Sequence, residues 1–130
     1  MEKKMFRIRK IIRLTLMKIG IRSDLVGFEY LCTAIELVIA RPELIHSLCK
    51  ELYTSIAEKF TVDKDSSVER SMRHAIDSTF SDSSFVEINK MFNTTLFAID
   101  EKPTVGELIR LVAEYYNLEF YKEYIRKKVK

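Results

Sequence analysis

The sequence predicts an all-α domain of about six helices, a bundle that contains a helix-turn-helix and continues into a C-terminal helical extension. Apolar residues recur every three or four positions through most of the 130 residues, which is the spacing of amphipathic helices. The 3 glycines and 2 prolines are too few for the many tight turns of a β-sandwich or barrel. With 47% apolar and 32% charged residues, residues 1–130 are expected to fold as a single globular domain.

The first three helices follow from apolar stripes and from residues that end helices. A basic first helix is expected over 3–19, because Gly20 stops its stripe. A second helix begins near 23–24 and ends before Pro42, since the residue before a proline is pushed out of the helical region. Pro42 suits the first turn of a third helix, which we expect over 42–60.

The later helices are marked by their N-terminal residues. Ser84 with Glu87 three residues later has the spacing of a capping box and predicts a fifth helix over 84–92. Thr104 with Glu107 repeats that spacing and opens a sixth helix to about residue 116, which residues 118–130 can continue. The segment 93–103 between them is the least regular part of the chain.

Charge is distributed unevenly along the chain. The net charge of +3 divides into +7 over residues 1–22, +4 over residues 121–130 and −8 over the remainder. A polyanion is therefore expected to meet the basic N-terminal helix, the basic tail (120–130) or a local patch rather than the whole surface. The alternative is two charged termini that are merely solvated.

Several functional classes are disfavoured by what the sequence lacks. No segment approaches the ~20 apolar residues that cross a bilayer, and the stripe of the first helix is expected to pack on the second and sixth helices rather than on a membrane. Cys32 and Cys49 lie in apolar helical patterns without a signal peptide, which predicts buried, reduced thiols and a cytoplasmic protein. Two histidines and two distant cysteines do not make a zinc site, and no catalytic or cofactor-binding pattern is present, so we expect no enzyme.

Residues 48–80 have the layout of a helix-turn-helix. Ala57 is small where two helices would cross closely, Phe60 and Val62 can fill the corner, and a fourth helix is expected over 66–80. At 100° per residue its apolar residues gather on one side. This predicted inner face comprises Val68, Met72, Ala75, Ile76 and Thr79.

The opposite face of the fourth helix carries two arginines one turn apart. Arg70 and Arg73 can each hold a guanine edge by two hydrogen bonds, and Glu69 can accept a hydrogen bond from a cytosine amino group. A helix fits the major groove and reads it with its N-terminal turns. Two alternatives are an ordinary solvated face and a capping box between Ser66 and Glu69.

Two segments of this region are similar to a known family. Glu51–Phe60 (ELYTSIAEKF) and Val68–Ile76 (VERSMRHAI) resemble the DNA-binding effector domain of stage zero sporulation protein A, a sporulation response regulator family. Shorter similarities lie on both sides of these segments, over about residues 15–120, in the same order as in that family. The resemblance implies a six-helix domain with helix 66–80 as the recognition helix.

The resemblance also implies contacts and partners. Glu69, Arg70 and Arg73 would read the bases of a short TGTCGAA-like element. Contacts to DNA phosphates are expected from Lys64, Ser66, Ser67 and His74. The partners would be double-stranded DNA, bound by a homodimer on tandem elements, and a sigma factor of RNA polymerase.

Four departures from the family separate this chain from a typical member. No receiver domain is present in the sequence, which puts control by aspartyl phosphate in doubt: the chain is either a fragment or a stand-alone domain controlled by its abundance. Ser67 replaces a family arginine, which weakens a phosphate contact and lowers affinity more than sequence preference. The turn 61–66 is one residue longer than usual, and the basic termini are additions.

These departures motivate a second hypothesis for the function. The chain would keep the fold without binding DNA and would act as a protein-interaction module that modulates a full-length regulator or RNA polymerase.

Overall fold

The chain forms a bundle of α-helices. The structure, a computed structural model, describes the backbone of residues 2–80, 82–93 and 102–129 and the side chains of residues 7–80, 85–93 and 102–119. Its helices are α1 (Glu2–Ile19), α2 (Val26–Ala40), α3 (Tyr53–Lys59), α4 (Asp65–Thr79), α5 (Asp82–Phe92) and α6 (Val105–Val129). These described ranges contain no strand, and the prediction of an all-α bundle of about six helices is confirmed.

Helix α1 buries one stripe and ends at a glycine, as predicted. Gly20 has φ 113°, a left-handed conformation that glycine adopts without a Cβ clash. Its N–H donates to the Met17 carbonyl at 3.1 Å, and the Ile21 N–H donates to the Leu16 carbonyl at 3.0 Å. These two bonds form a Schellman motif, and they carry the buried Ile21 side chain back onto the buried Leu16.

Helix α2 begins at Val26, two residues later than the latest start predicted, with Leu25 in the N-cap position and no side-chain cap. The aspartate that could have served as the cap has another partner. Asp24 accepts two hydrogen bonds from the Arg22 guanidinium, at 3.1 and 2.7 Å. The hydrogen-bonded guanidinium holds the pKa of the Asp24 carboxyl below its usual value.

The single third helix predicted over 42–60 is wrong. Pro42 does occupy the first turn of a helical segment, but that segment is a 3₁₀ turn, Pro42–His46. At Ser47 the backbone leaves the helical region, with φ −141° and ψ 55°. A π-type turn follows over Leu48–Leu52, and its amides at positions 51 and 52 both donate to the Ser47 carbonyl. This π-type turn runs directly into α3, with Leu52 itself in a helical conformation.

The two cysteines are unpaired, and only one of them lies in the core. Cys32 is buried on α2, and burial raises the pKa of its thiol to about 12. Cys49 was expected to be buried but is exposed, because it lies in the π-type turn and not on the inner side of a continuous helix.

Helices α5 and α6 bear out the predicted elements, with one correction. Helix α5 begins at Asp82, so Ser84 lies inside its first turn instead of capping it. The capping box of α6 is confirmed: the Glu107 N–H donates to Thr104 Oγ1 at 3.1 Å, and the Thr104 N–H donates to Glu107 Oε1 at 3.0 Å. Helix α6 continues to Val129, which confirms the helical extension. Of the segment 93–103, residues 94–101 lie outside the described residues.

Helix α2 is the centre of the bundle. It packs against α4, α6, α1 and α3, and its fully buried side chains include Phe28, Leu31 and Ile35. The stripe of α1 packs on α2 and α6, as the sequence predicted. Arg13 ties α1 to α2, because its guanidinium lies 5.0 Å from the Phe28 ring centre and donates to Glu29 at 2.6 Å.

The contact between α2 and α4 depends on Gly27. A Cβ atom added to Gly27 would lie 2.1 Å from the Ser71 carbonyl oxygen of α4 and 3.0 Å from the Ala75 Cβ. The backbone of α4 cannot relieve this clash by a rotamer change, as the end of a flexible side chain could. Only glycine at position 27 therefore allows the two helices to approach this closely.

We expect the Gly27→Ala substitution to lower the free energy of unfolding by about 1–3 kcal/mol or more, the usual cost of overpacking. Gly106→Ala is a matched control, because both glycines are the second residue of a helix. The added Cβ at position 106 would meet only Leu48 Cδ1, at 2.8 Å, and this methyl group can rotate away. Urea unfolding curves of both variants measure the difference, and equal midpoints would contradict the assignment.

Candidate nucleic-acid interface

Helices α3 and α4 form the helix-turn-helix, joined by residues 60–64. The turn begins with a second Schellman motif, in which the Val62 N–H donates to the Ala57 carbonyl at 2.8 Å and the Thr61 N–H donates to Glu58 at 3.3 Å. Thr61 occupies the left-handed position with φ 55°. A β-branched residue in that conformation is strained, at a cost of about 1–2 kcal/mol.

An aromatic contact fixes the corner from the side of α2. The Phe60 and Tyr30 rings meet edge to face with their centres 5.1 Å apart. Lys59 Nζ lies 5.9 Å from the Phe60 ring centre, and Val62 is half-buried against the core. Phe60 and Val62 thus fill the corner as predicted, although Phe60 remains 37% exposed.

Helix α4 separates buried and exposed residues as its sequence predicted, except that Thr79, expected on the inner face, is only half-buried. Its buried residues are Val68, Met72, Ala75 and Ile76. The exposed residues include Ser66, Arg70, Arg73, His74 and Asp77. Both guanidinium groups lie in solvent, so the side of α4 that faces away from the core is free to contact another molecule.

Glu69 and Arg73 form an ion pair along this outer face. Arg73 Nη1 lies 3.2 Å from Glu69 Oε1, and the two side chains are 55% and 30% exposed. Glu69 is therefore not part of a capping box, and Ser66 lies in the first turn of a helix whose N-cap is Lys64. An exposed pair of this kind contributes only a few tenths of a kcal/mol, so it can exchange for contacts with a ligand.

Tyr53 of α3 lies close enough to Glu69 of α4 to feel its charge, a proximity that the sequence did not reveal. Tyr53 is 5% exposed. Burial and the negative charge of Glu69 together raise the pKa of its hydroxyl to about 12. The two helices of the motif therefore come together near the residue expected to read cytosine.

The start of α4 presents the residues expected to touch phosphates. Lys64 and Ser66 are exposed, and Ser67 is half-buried. The Ser67 N–H donates to the Lys64 carbonyl at 3.1 Å, which leaves the amides of residues 65 and 66 directed out of the helix. Outward amides at a helix N-terminus favour a phosphate oxygen.

An acidic cleft lies beside this helix start, between α3 and α4. Its walls include Glu58, Asp63 and Asp65. Lys64 and Ser66, two of the expected phosphate contacts, line the same cleft, so a phosphate bound there would meet both the Lys64 ammonium and the repelling carboxylates.

The described residues contain neither a membrane-spanning helix nor a cluster of metal ligands. In the described part of the chain no helix is long and apolar enough to cross a membrane. Among the same residues no three histidine, cysteine, aspartate or glutamate side chains gather where a metal ion could be held.

A helical corner whose second helix shows arginines to solvent is the arrangement of helix-turn-helix DNA-binding domains, and the fold and this face place the protein in that class. Residues 12–116 match the model of one such family, described as sporulation initiation factor Spo0A C terminal. The match covers most of the chain, so the chain belongs to the Spo0A C-terminal family. The C-terminal domain of Spo0A is a DNA-binding effector domain; the protein is a DNA-binding regulator of the sporulation type, and double-stranded DNA is its partner.

We expect Thr61→Gly to be more stable than Thr61→Ala by about 1 kcal/mol, because glycine relieves the left-handed strain and alanine keeps it. In an ordinary helix interior the alanine variant would instead be the more stable one, by about 0.5–1 kcal/mol. Thermal unfolding of the two variants tests the conformation of the turn. An alanine variant as stable as the glycine variant would show that residue 61 is not left-handed.

Proposed function

We propose that the protein is a sequence-specific transcription regulator that lays α4 in the major groove. Arg70 and Arg73 take guanine edges and Glu69 takes a cytosine amino group. The observation that carries the proposal is the exposure of both guanidinium groups on the side of α4 opposite its buried residues. The function is one of binding, with no catalytic step.

The pairing of Glu69 with Arg73 supports a joint reading of one base pair or two adjacent ones. A bidentate arginine contact is worth about 1–3 kcal/mol of discrimination between bases. This exceeds what the exposed ion pair supplies, so the guanidinium gains by leaving Glu69 for a guanine. The released carboxylate is then free to accept a hydrogen bond from cytosine.

We expect Arg73→Ala to weaken binding to a duplex that carries tandem TGTCGAA-type elements by about 1–3 kcal/mol, or roughly 5- to 150-fold, and to relax the preference at one position. Arg110→Ala is the matched control, because Arg110 is exposed on α6, outside the helix-turn-helix. Fluorescence anisotropy with specific and scrambled duplexes measures both effects. An Arg73→Ala variant that binds both duplexes as the wild type does would exclude this base contact.

The proposed phosphate contacts have a different signature. We expect Lys64→Ala to weaken binding to specific and scrambled duplexes alike and to reduce the salt slope by about 0.9. Titrations at two salt concentrations measure the slope. A loss confined to the specific duplex would mean that Lys64 contacts a base instead.

The protein-interaction module is the competing hypothesis. A wild-type chain that binds neither duplex, while other proteins co-purify with it, would favour that module over a DNA reader. Its support lies in Ser67, which lacks the charge of the family arginine, and in the acidic cleft beside α4.

Assembly on tandem elements and contact with a sigma factor belong to the same proposal. Both come from the family resemblance. Leu118, 46% exposed on α6, offers an apolar position for a neighbouring copy. Localisation to the cytoplasm follows from a partner that is bacterial DNA.

A further inference from the structure

The turn between α1 and α2, residues 20–25, lies beside the recognition helix. Gly27, the second residue of α2, packs against the Ser71 carbonyl and beside Ala75 of α4. Farther along α2, the Tyr30 ring meets Phe60, which precedes the start of α4. Helix α2 thus runs towards the N-terminal end of α4. The 20–25 turn precedes Gly27 and therefore lies towards the C-terminal half of α4, the half that contains His74.

The 20–25 turn is held rigidly. The Schellman motif at Gly20 sets its entry, and Ile21 anchors it in the core with 2% exposure. The Leu25 N–H donates to the Arg22 carbonyl at 3.3 Å, which closes a tight turn, and Leu25 packs half-buried on the core. Residues 22–24 therefore form an exposed tip between two anchored residues, Ile21 and Leu25.

The tip of the turn carries an arginine in solvent. The Arg22 side chain is 63% exposed, and its partner Asp24 is 64% exposed, with 2.7 Å between Nη2 and Oδ2. Because the pair is solvated, it contributes little to stability. The pairing leaves the guanidinium with N–H donors that Asp24 does not use.

We propose that the 20–25 turn is a second DNA contact, in which Arg22 binds a backbone phosphate next to the groove that holds α4 and Asp24 weakens this contact. The inference rests on the proposed function, because it needs α4 in the groove. Phosphate and guanidinium match in charge and in bidentate geometry. Asp24 competes for the same donors and repels the phosphate, so the turn sets the general affinity for DNA without reading sequence.

The chain contains a matched control at the other end of α2. Arg41 and Glu43 form an ion pair with the same separation in sequence, 3.2 Å between Nε and Oε1, and similar exposure of 57% and 64%. This second pair lies at the C-cap of α2, a helix length away from the 20–25 turn. Substitutions in the two pairs change the net charge of the protein identically.

The experiment compares Arg22→Ala and Asp24→Asn with Arg41→Ala and Glu43→Gln on specific and scrambled duplexes at 50 and 200 mM salt. Arg22→Ala is expected to remove one phosphate contact and so to reduce the salt slope by about 0.9. A rise from 50 to 200 mM salt then weakens DNA binding by this variant about 3.5-fold less than it weakens binding by the wild type. Asp24→Asn is expected to tighten binding on both duplexes by a similar factor. The ratio of specific to scrambled binding stays unchanged in both variants.

The outcomes separate this inference from the function on which it rests. If Arg22→Ala and Arg41→Ala change the salt slope equally, or if Asp24→Asn does not tighten binding more than Glu43→Gln, the 20–25 turn is not a contact while α4 still reads DNA. A wild type that binds neither duplex overturns both proposals. Urea midpoints equal to the wild type show that the comparison is made between folded proteins.

Discussion

The close approach of α2 and α4 at Gly27 is the constraint on which the rest of the structure depends. Helix α2 is the central element, and the backbone of α4 lies against it where a Cβ would clash with the Ser71 carbonyl. This contact presses Val68, Met72 and Ala75 into the core, so the other side of α4 must face solvent. The orientation of the arginines is thus decided by a residue that has no side chain.

Local charge pairing is the second organising feature. Arg22 with Asp24, Arg41 with Glu43 and Arg73 with Glu69 are all exposed pairs between residues two or four positions apart. Solvated pairs add little stability, and their members can change partners cheaply. The contact between Arg13 and Glu29 differs in that it joins two helices and is supported by the Phe28 ring, which makes it part of the packing.

The sequence predicted the helices whose signals are local. The Thr104 capping box, the Gly20 terminus and the two-sided pattern of α4 depend on neighbouring residues, and each lies where it was expected. The continuous helix over 42–60 was wrong, because its apolar spacing could not show that the backbone leaves the helical region at Ser47. The proximity of Tyr53 to Glu69 and the position of Arg22 result from tertiary contacts, for which a single sequence carries no signal.

In the proposed function, the ion pair of Glu69 and Arg73 contributes to base discrimination but not to the long-range attraction of DNA. Its charges cancel at a distance, so long-range attraction to a polyanion comes from Arg70 and from the basic N-terminal and C-terminal segments. In the proposed binding mode, discrimination between base pairs begins only once this ion pair opens in the groove. In that mode the basic termini govern the capture of DNA and the Glu69–Arg73 pair governs fidelity, while Arg70 serves both, so selection could tune the speed of the search along a chromosome through the termini without altering which sites are preferred.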